Sequence, residues 1–288
     1  MQDRASEAVS TPRSAFAPFQ RSDGYIKLLS FVVSNARRGE IMAVDNYSEM
    51  VALMPDTESK IEAVHQANEE CKHILLLEKL AEHLGFPIDD TMVEPQWNNV
   101  RQHFHDAAKK KNLAGCLIIQ DLMVESLAIG LYKLFSSASN GDYETNRIAA
   151  NLLKDELEHL EIGVRRINAL MEKDHEGVHD SLVWAHHRVM PNLFEMVYQS
   201  CDFLCHTQGL DCDVVDKGNV AIDLNALKVA SLEHYVEMLY QAGFDLDVTN
   251  QLIASMTSYE VPGRAALGLG DCLRDFLSSK PGASAGNA

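Results

Sequence analysis

Apolar side chains in the first third of the chain recur in steps of three and four. Ile26, Leu29, Val33, Ala36, Ala43, Tyr47, Met50 and Met54 fall on one helical face, and Glu40 falls among them. No equally long stretch alternates at period two, so the pattern predicts an all-α chain. Breakers divide it: Pro55-Asp56 ends the first long helix, Gly85-Phe86-Pro87 the second, and Asn140-Gly141-Asp142 separates two more. Helices are expected near 23–54, 57–84, 90–111, 112–138, 142–173, 179–207, 223–243 and 247–259. Thr207 to Asp223 reads as a connecting loop, and Ser278 to Ala288, rich in Ser, Gly and Ala, as disordered. The organisation expected is a flexible arm over 1–22, one helical domain over 23–260 and a loosely ordered tail over 261–288.

Composition narrows the classes. With 46% hydrophobic and 23% charged residues, the 288-residue chain is globular and not disordered. Apolar runs such as Leu113 to Ile119 are stopped by polar residues, here Gln120 and Asp121, so no transmembrane segment is expected. Met1 to Ser22 lacks the apolar core of a secretory signal. The six cysteines, Cys71, Cys116, Cys201, Cys205, Cys212 and Cys272, are too sparse for a disulfide framework and suggest a reducing cytoplasm. Cys201-x-x-x-Cys205-His206 lacks a second pair at zinc-ligand spacing and reads as buried thiols. Asp and Glu total 42 against 25 Lys and Arg, and a net charge of −17 argues against a nucleic-acid partner.

The carboxylates carry the chemistry. Glu70-Cys71-Lys72-His73 and Glu156-Leu157-Glu158-His159 are Glu-x-x-His motifs, whose first and last residues share a helix face and can grip one ion. Glu40 stands 30 residues before Glu70, Glu125 stands 31 before Glu156, and the two sets are offset by 85 or 86 residues. From Glu40 to Pro55 and from Pro55 to Glu70 are fifteen residues each, about 22 Å down one helix and back. Glu40 thus returns to the level of Glu70 and His73, and Glu125 to that of Glu156 and His159. Two antiparallel helix pairs packed face to face would join four carboxylates and two imidazoles, a ligand set already known from ferritin-like di-iron and di-manganese proteins.

Charge favours that arrangement. Four ionised carboxylates offset two divalent cations, whereas the same four facing one another alone would be unstable. Oxygen-rich ligation with imidazole suits iron or manganese. Glu40 and Glu125 also sit within apolar stripes, which solvated carboxylates would contradict. Tyr47 and Tyr132 each follow a Glu by seven residues and are expected to line the cavity beside the metals, and Asp155 can accept a hydrogen bond from a ligand imidazole.

The segments Gly39-Glu40-Ile41-Met42-Ala43-Val44-Asp45-Asn46-Tyr47, Cys116-Leu117-Ile118-Ile119-Gln120 through Glu125 to Tyr132, and Lys154-Asp155-Glu156-Leu157-Glu158-His159 resemble the cyanobacterial aldehyde-deformylating oxygenases, formerly called aldehyde decarbonylases. The likeness is strong from about residue 25 to 170 and continues faintly to about 258. It implies a ferritin-like four-helix bundle core with additional C-terminal helices and a non-haem di-iron enzyme. Such an enzyme converts a fatty aldehyde to an alkane plus formate, with O2 and electrons from a ferredoxin and its reductase. On that resemblance Glu40, Glu70, His73, Glu125, Glu156 and His159 hold two iron ions, with manganese as the alternative metal. Cys116 falls near the substrate channel, Tyr47 and Tyr132 near the metals, and Gln120 in the same surroundings. Two departures bear on the substrate: Ile41-Met42 where the family has Gln-Glu, and Gln96-Trp97-Asn98-Asn99 where it has paired aromatics. A polar segment there would suit a less greasy substrate, leaving open an oxygenase or N-oxygenase acting on a more polar metabolite. A non-enzymatic iron-binding or peroxide-scavenging relative is a third reading.

Other motifs weigh less. His175-Glu176-Gly177-Val178-His179 matches a metalloprotease string, but Gly177 and the flanking aspartates suggest a turn between helices. Gly268-Leu269-Gly270-Asp271 follows no strand, so it is not read as a nucleotide site. Lys109-Lys110-Lys111 complements a helix C-terminus and offers a docking patch for an acidic electron donor.

Overall fold

Short polar side chains set where the helices begin. Asp56 accepts the Ser59 N–H at 2.8 Å, Ser22 that of Tyr25 at 3.2 Å and Asn112 that of Gly115 at 2.9 Å. Each such cap is worth about 1 kcal/mol. A computed structural model describes residues 21–136, 142–202 and 224–256, without the side chains of 197–202 and 224–230. Residues 1–20 of the arm, the 207–223 loop, the tail, Cys205, His206 and the Gly268 to Asp271 motif lie outside the described residues. Among the described residues there is no strand, and eight helices follow one another. They are α1 (Asp23–Met50), α2 (Thr57–Leu84), α3 (Glu94–Lys109) and α4 (Leu113–Ser136). After them come α5 (Tyr143–Met171), α6 (His175–Asp202), α7 (Leu224–Gln241) and α8 (Leu246–Met256).

The four-helix core consists of two hairpins, α1 with α2 and α4 with α5, while α3 and α6 pack outside α1 and α4, and α7 covers α4. At the end of α2, Gly85 takes φ +76° and returns its N–H to Ala81, a left-handed stop suited to glycine. The centre belongs to α4: Cys116, Leu117, Ile118, Ile119, Leu122 and Met123 are buried on every side. This helix is long and apolar enough to cross a membrane by length and composition, yet 83% of its most apolar stretch is buried inside the bundle. Its all-round hydrophobicity is that of a core helix.

Two expectations need correction. Helix α3 begins at Glu94, not near 90, because the N–H groups of Val93 and Glu94 close a turn on the Asp90 carbonyl and Pro95 sits in the first helical turn. The segment from His175 to His179 is the first turn of α6, not an interhelical turn. Asp174 accepts the Gly177 N–H at 3.0 Å, so glycine occupies a turn whose amides a cap already serves.

One buried imidazole ties the outer helices together. His186 Nδ1 lies 3.0 Å from the Tyr235 hydroxyl of α7 and Nε2 3.1 Å from the Leu252 carbonyl of α8. The ring therefore carries its hydrogen on Nε2 and accepts at Nδ1. Burial, then His187, lowers its pKa to about 4. Above the unfolded value of about 6.5 neither state is protonated and the stability is complete; between that value and the folded one only the unfolded chain gains the proton. Unfolding free energy is expected to fall across this window by at most about 3 kcal/mol, and His186→Gln should flatten the dependence. Urea unfolding at a series of pH values checks this, and identical profiles for both proteins would sink it.

Candidate metal centre

Four helices deliver six ionisable side chains to one point in the bundle: Glu40 from α1, Glu70 and His73 from α2, Glu125 from α4, and Glu156 and His159 from α5. All six are buried. Their donor atoms form two overlapping groups, Glu40, Glu70, His73 and Glu156 in one and Glu70, Glu125, Glu156 and His159 in the other. Within each group the atoms lie within 4.8 Å of one another. Glu70 and Glu156 belong to both, so two cations could share them while Glu40 with His73 and Glu125 with His159 take opposite ends.

The polar atoms fit such ions. Glu70 Oε1, both carboxylate oxygens of Glu156 and His159 Nδ1 are buried without a hydrogen bond. Orphaned carboxylate oxygens cost several kcal/mol in a protein interior unless a cation meets them. His73 Nδ1 faces Glu70 at 3.0 Å, Glu156 at 3.2 Å and Glu40 at 3.7 Å, and His159 Nδ1 faces Glu70 at 3.1 Å and Glu156 at 3.4 Å. Both rings thus turn Nδ1 inward. Burial, with the charges of Glu156 and Glu70, pushes the carboxyls of Glu40 and Glu125 well up. Burial acts against Glu70 and Glu156 too, but contacts with the two imidazoles hold both below the usual carboxylate range.

Surrounding groups cross between the halves. Tyr47 of α1 lies 2.9 Å from Glu125 of α4, and Tyr132 of α4 donates to Glu40 of α1. His73 Nε2 of α2 meets Asp155 of α5 at 3.4 Å, and His159 Nε2 of α5 meets Glu69 of α2 at 3.0 Å. The His159 contact is the main influence holding the Glu69 carboxyl below its usual range. Glu69 escaped the sequence reading, although it precedes Glu70 as Asp155 precedes Glu156, so the repeat contained the signal. Removing a carboxylate that orients a ligand imidazole typically costs roughly 10- to 100-fold in metal affinity. Glu69→Ala should show a loss of that order in chelator competition, and an unchanged affinity would remove Glu69 from the site.

Helix geometry places two further groups. Ile118–Val124 winds as a π-helix within α4. Residues five apart stand about 140° apart round an α-helix, and i→i+5 winding brings them back toward one side. Gln120 Nε2 accordingly donates to Glu125 Oε1 at 2.9 Å, while its Oε1 accepts from Asn46 at 2.7 Å. Asp121, on the same segment, is fully buried; burial raises its carboxyl to about 6 against the pull of Arg166.

An apolar cavity adjoins Glu40 and Glu125. It encloses about 830 Å³ of non-atom space, part of it open to solvent. Leu28, Val32, Ala128, Leu131 and Phe135 wall it, with Trp97 from α3 and Met196 from α6. Tyr132 and Gln120 line it; Tyr47, Asp155 and Cys116 do not. The Cys116 thiol lies in the core near the Phe104 carbonyl, and burial pushes it up to about 12. Of the polar segment expected near the channel, Asn98 pairs with Arg38 and Asn99 with Asn192, Gln96 is buried apart from the cavity lining, and only Trp97 reaches the cavity. Its Nε1 donates to Asn35 at 2.7 Å, and its ring lies so close to Gly39 that a Cβ there would meet it at 2.9 Å. The expectation of a more polar pocket is therefore corrected. Neither His175 nor His179 joins a metal-capable group among the described residues.

Comparisons with known proteins agree with this picture. A family model described as long-chain fatty aldehyde decarbonylase matches residues 22–245. A solved structure, "Protein 19 with aldehyde deformylating oxidase activity from Synechococcus", superposes with a TM-score of 0.67 at 20% identity. The match covers 82% of this chain and 98% of that one, a likeness of fold.

Proposed function

The chain belongs to the long-chain fatty aldehyde decarbonylase family, and from that premise we propose that it is a non-haem di-iron oxygenase converting a long-chain aldehyde to the alkane one carbon shorter and formate. The observation that carries the proposal is an apolar cavity ending on Glu40 and Glu125, two of the six clustered carboxylate and imidazole residues. Glu40, Glu70, His73, Glu125, Glu156 and His159 would hold the ions, Glu70 and Glu156 belonging to both donor groups. Two adjacent iron ions there would supply O2 reduction, which one metal would have to manage one electron at a time.

The chain's own residues do the rest. Leu28, Val32, Leu131 and Phe135 hold the alkyl chain and exclude water, and burial of apolar surface supplies the affinity. Tyr132 donates to Glu40 and Gln120 to Glu125, fixing the carboxylates that border the cavity. Asp155 and Glu69 take the Nε2 hydrogens and keep Nδ1 of each imidazole turned inward. The reaction consumes electrons and protons besides O2, so a ferredoxin-type donor with its reductase is the natural partner. The bundle and the helices packed on it act as one unit, and the free thiols of Cys71 and Cys116 suit a reducing compartment such as cytoplasm.

The test loads the protein anaerobically with ferrous iron, then adds O2, a reducing system and octadecanal, and measures heptadecane and formate. Iron-loaded protein that yields neither product from aldehydes of any length would overturn the proposal.

A further inference from the structure

Tyr47 and Tyr132 hold corresponding places in the two hairpins, yet their surroundings differ. Tyr132 forms part of the cavity wall and donates to Glu40, with no rival acceptor among the described residues. Tyr47 is ringed by polar groups: Gln66 Nε2 donates to its hydroxyl at 3.2 Å, Asp121 Oδ1 lies at 3.0 Å and Glu125 Oε1 at 2.9 Å. A phenol has a single proton. With Gln66 donating into it, Tyr47 gives that proton to Asp121 or to Glu125, and the two carboxylates compete.

Asp121 is built into this position. A Cβ on Gly163 of α5 would overlap its side chain, so the glycine makes the room it fills. Arg166, one turn further and largely buried, sets Nη1 3.8 Å from Asp121 Oδ2 and 2.9 Å from Gln66 Oε1, while Nη2 meets Glu62 at 3.2 Å. One guanidinium thus holds both the donor and the competing acceptor of Tyr47. None of Asp121, Gln66 and Arg166 lines the apolar cavity, so substrate binding does not account for a buried charged pair.

We propose that Asp121, steered by Arg166, is a positioning residue acting through the Tyr47 hydroxyl on Glu125, and that it makes the metal position of Glu125 and His159 tighter than that of Glu40 and His73. Drawing the Tyr47 proton toward Asp121 lifts the phenol from Glu125 Oε1, which then keeps only the weaker amide donor of Gln120 and more lone-pair density for a cation. Tyr132 has no second acceptor among the described residues, and Glu40 shares electron density with it. The inference rests on the di-metal reading of the site.

Cobalt(II) titration, followed by visible absorption and equilibrium dialysis, separates the possibilities. Wild-type protein should bind two ions in distinguishable steps. Asp121→Asn keeps the shape and removes the competing charge. It should weaken the tighter step about tenfold, at the low end of outer-shell effects, and spare the other. In a Tyr47→Phe background the same substitution should change neither step, because the connecting hydroxyl is gone. Gly163→Ala, which displaces Asp121 without altering any charge, should weaken the same step and serves independently if Asp121→Asn does not fold. Equal weakening of both steps, no weakening, or the full effect persisting in Tyr47→Phe would overturn the inference. Wild-type protein taking up fewer than two ions would overturn the di-metal reading, and this inference with it.

Discussion

Glu156→Ala is expected to empty both metal positions together and abolish aldehyde turnover. Glu156 belongs to both donor groups, and its oxygens lie 3.2 Å from His73 Nδ1 and 3.4 Å from His159 Nδ1. On the proposed di-metal site, alanine would remove a shared ligand from each ion and leave two imidazoles facing fewer carboxylates. Breaking a buried charge cluster this way costs about 3–5 kcal/mol. The loss of metal affinity should exceed the roughly 10- to 100-fold that follows loss of an outer-shell partner. Glu125→Ala and His159→Ala each touch one group only and should spare the opposite position more. Elemental analysis beside product assay checks the ordering. A Glu156→Ala protein with two tightly held ions would remove Glu156 from the shared position.

The second large effect is expected at the cavity. Ala128 lies one turn beyond Glu125 on α4, and its methyl group lines the apolar wall. Ala128→Phe fills space the alkyl chain should occupy, and overpacking alone costs about 1–3 kcal/mol. The kcat/KM for octadecanal should fall at least about tenfold, the equivalent of 1.4 kcal/mol. Metal content should stay at the wild-type level and short aldehydes should suffer less. Undiminished octadecanal turnover would show that the substrate lies elsewhere.

Much of the fold was legible because helix periodicity is local. The run from Ile26 to Met54 identified a buried face with a glutamate in it, and Pro55 and Gly85 marked ends that the structure places within a few residues. The six clustered side chains were legible for a different reason. Chain length between turns is a ruler, and equal counts on both sides of Pro55 return Glu40 to the level of Glu70. The same local logic misread His175 to His179, since glycine breaks a helix interior but costs little in a first turn capped by Asp174. It also places Gln96 to Asn99 along the channel, although only Trp97 of that stretch lines the cavity.

The sequence by itself determined which positions are buried, how high along the bundle each lies, and that carboxylates and imidazoles meet there in matched halves. Tertiary structure alone decided the pairing: Glu69 with His159, Asp155 with His73, and Asp121 with Arg166 beside Tyr47. It also decided the π-helical turn that carries Gln120 to Glu125, and the apolar wall of the cavity. Periodicity records the side of its own helix a residue occupies, because that depends on 3.6 residues per turn. Partners on other helices depend on how the helices are rotated and spaced, which is set by packing the whole core at once.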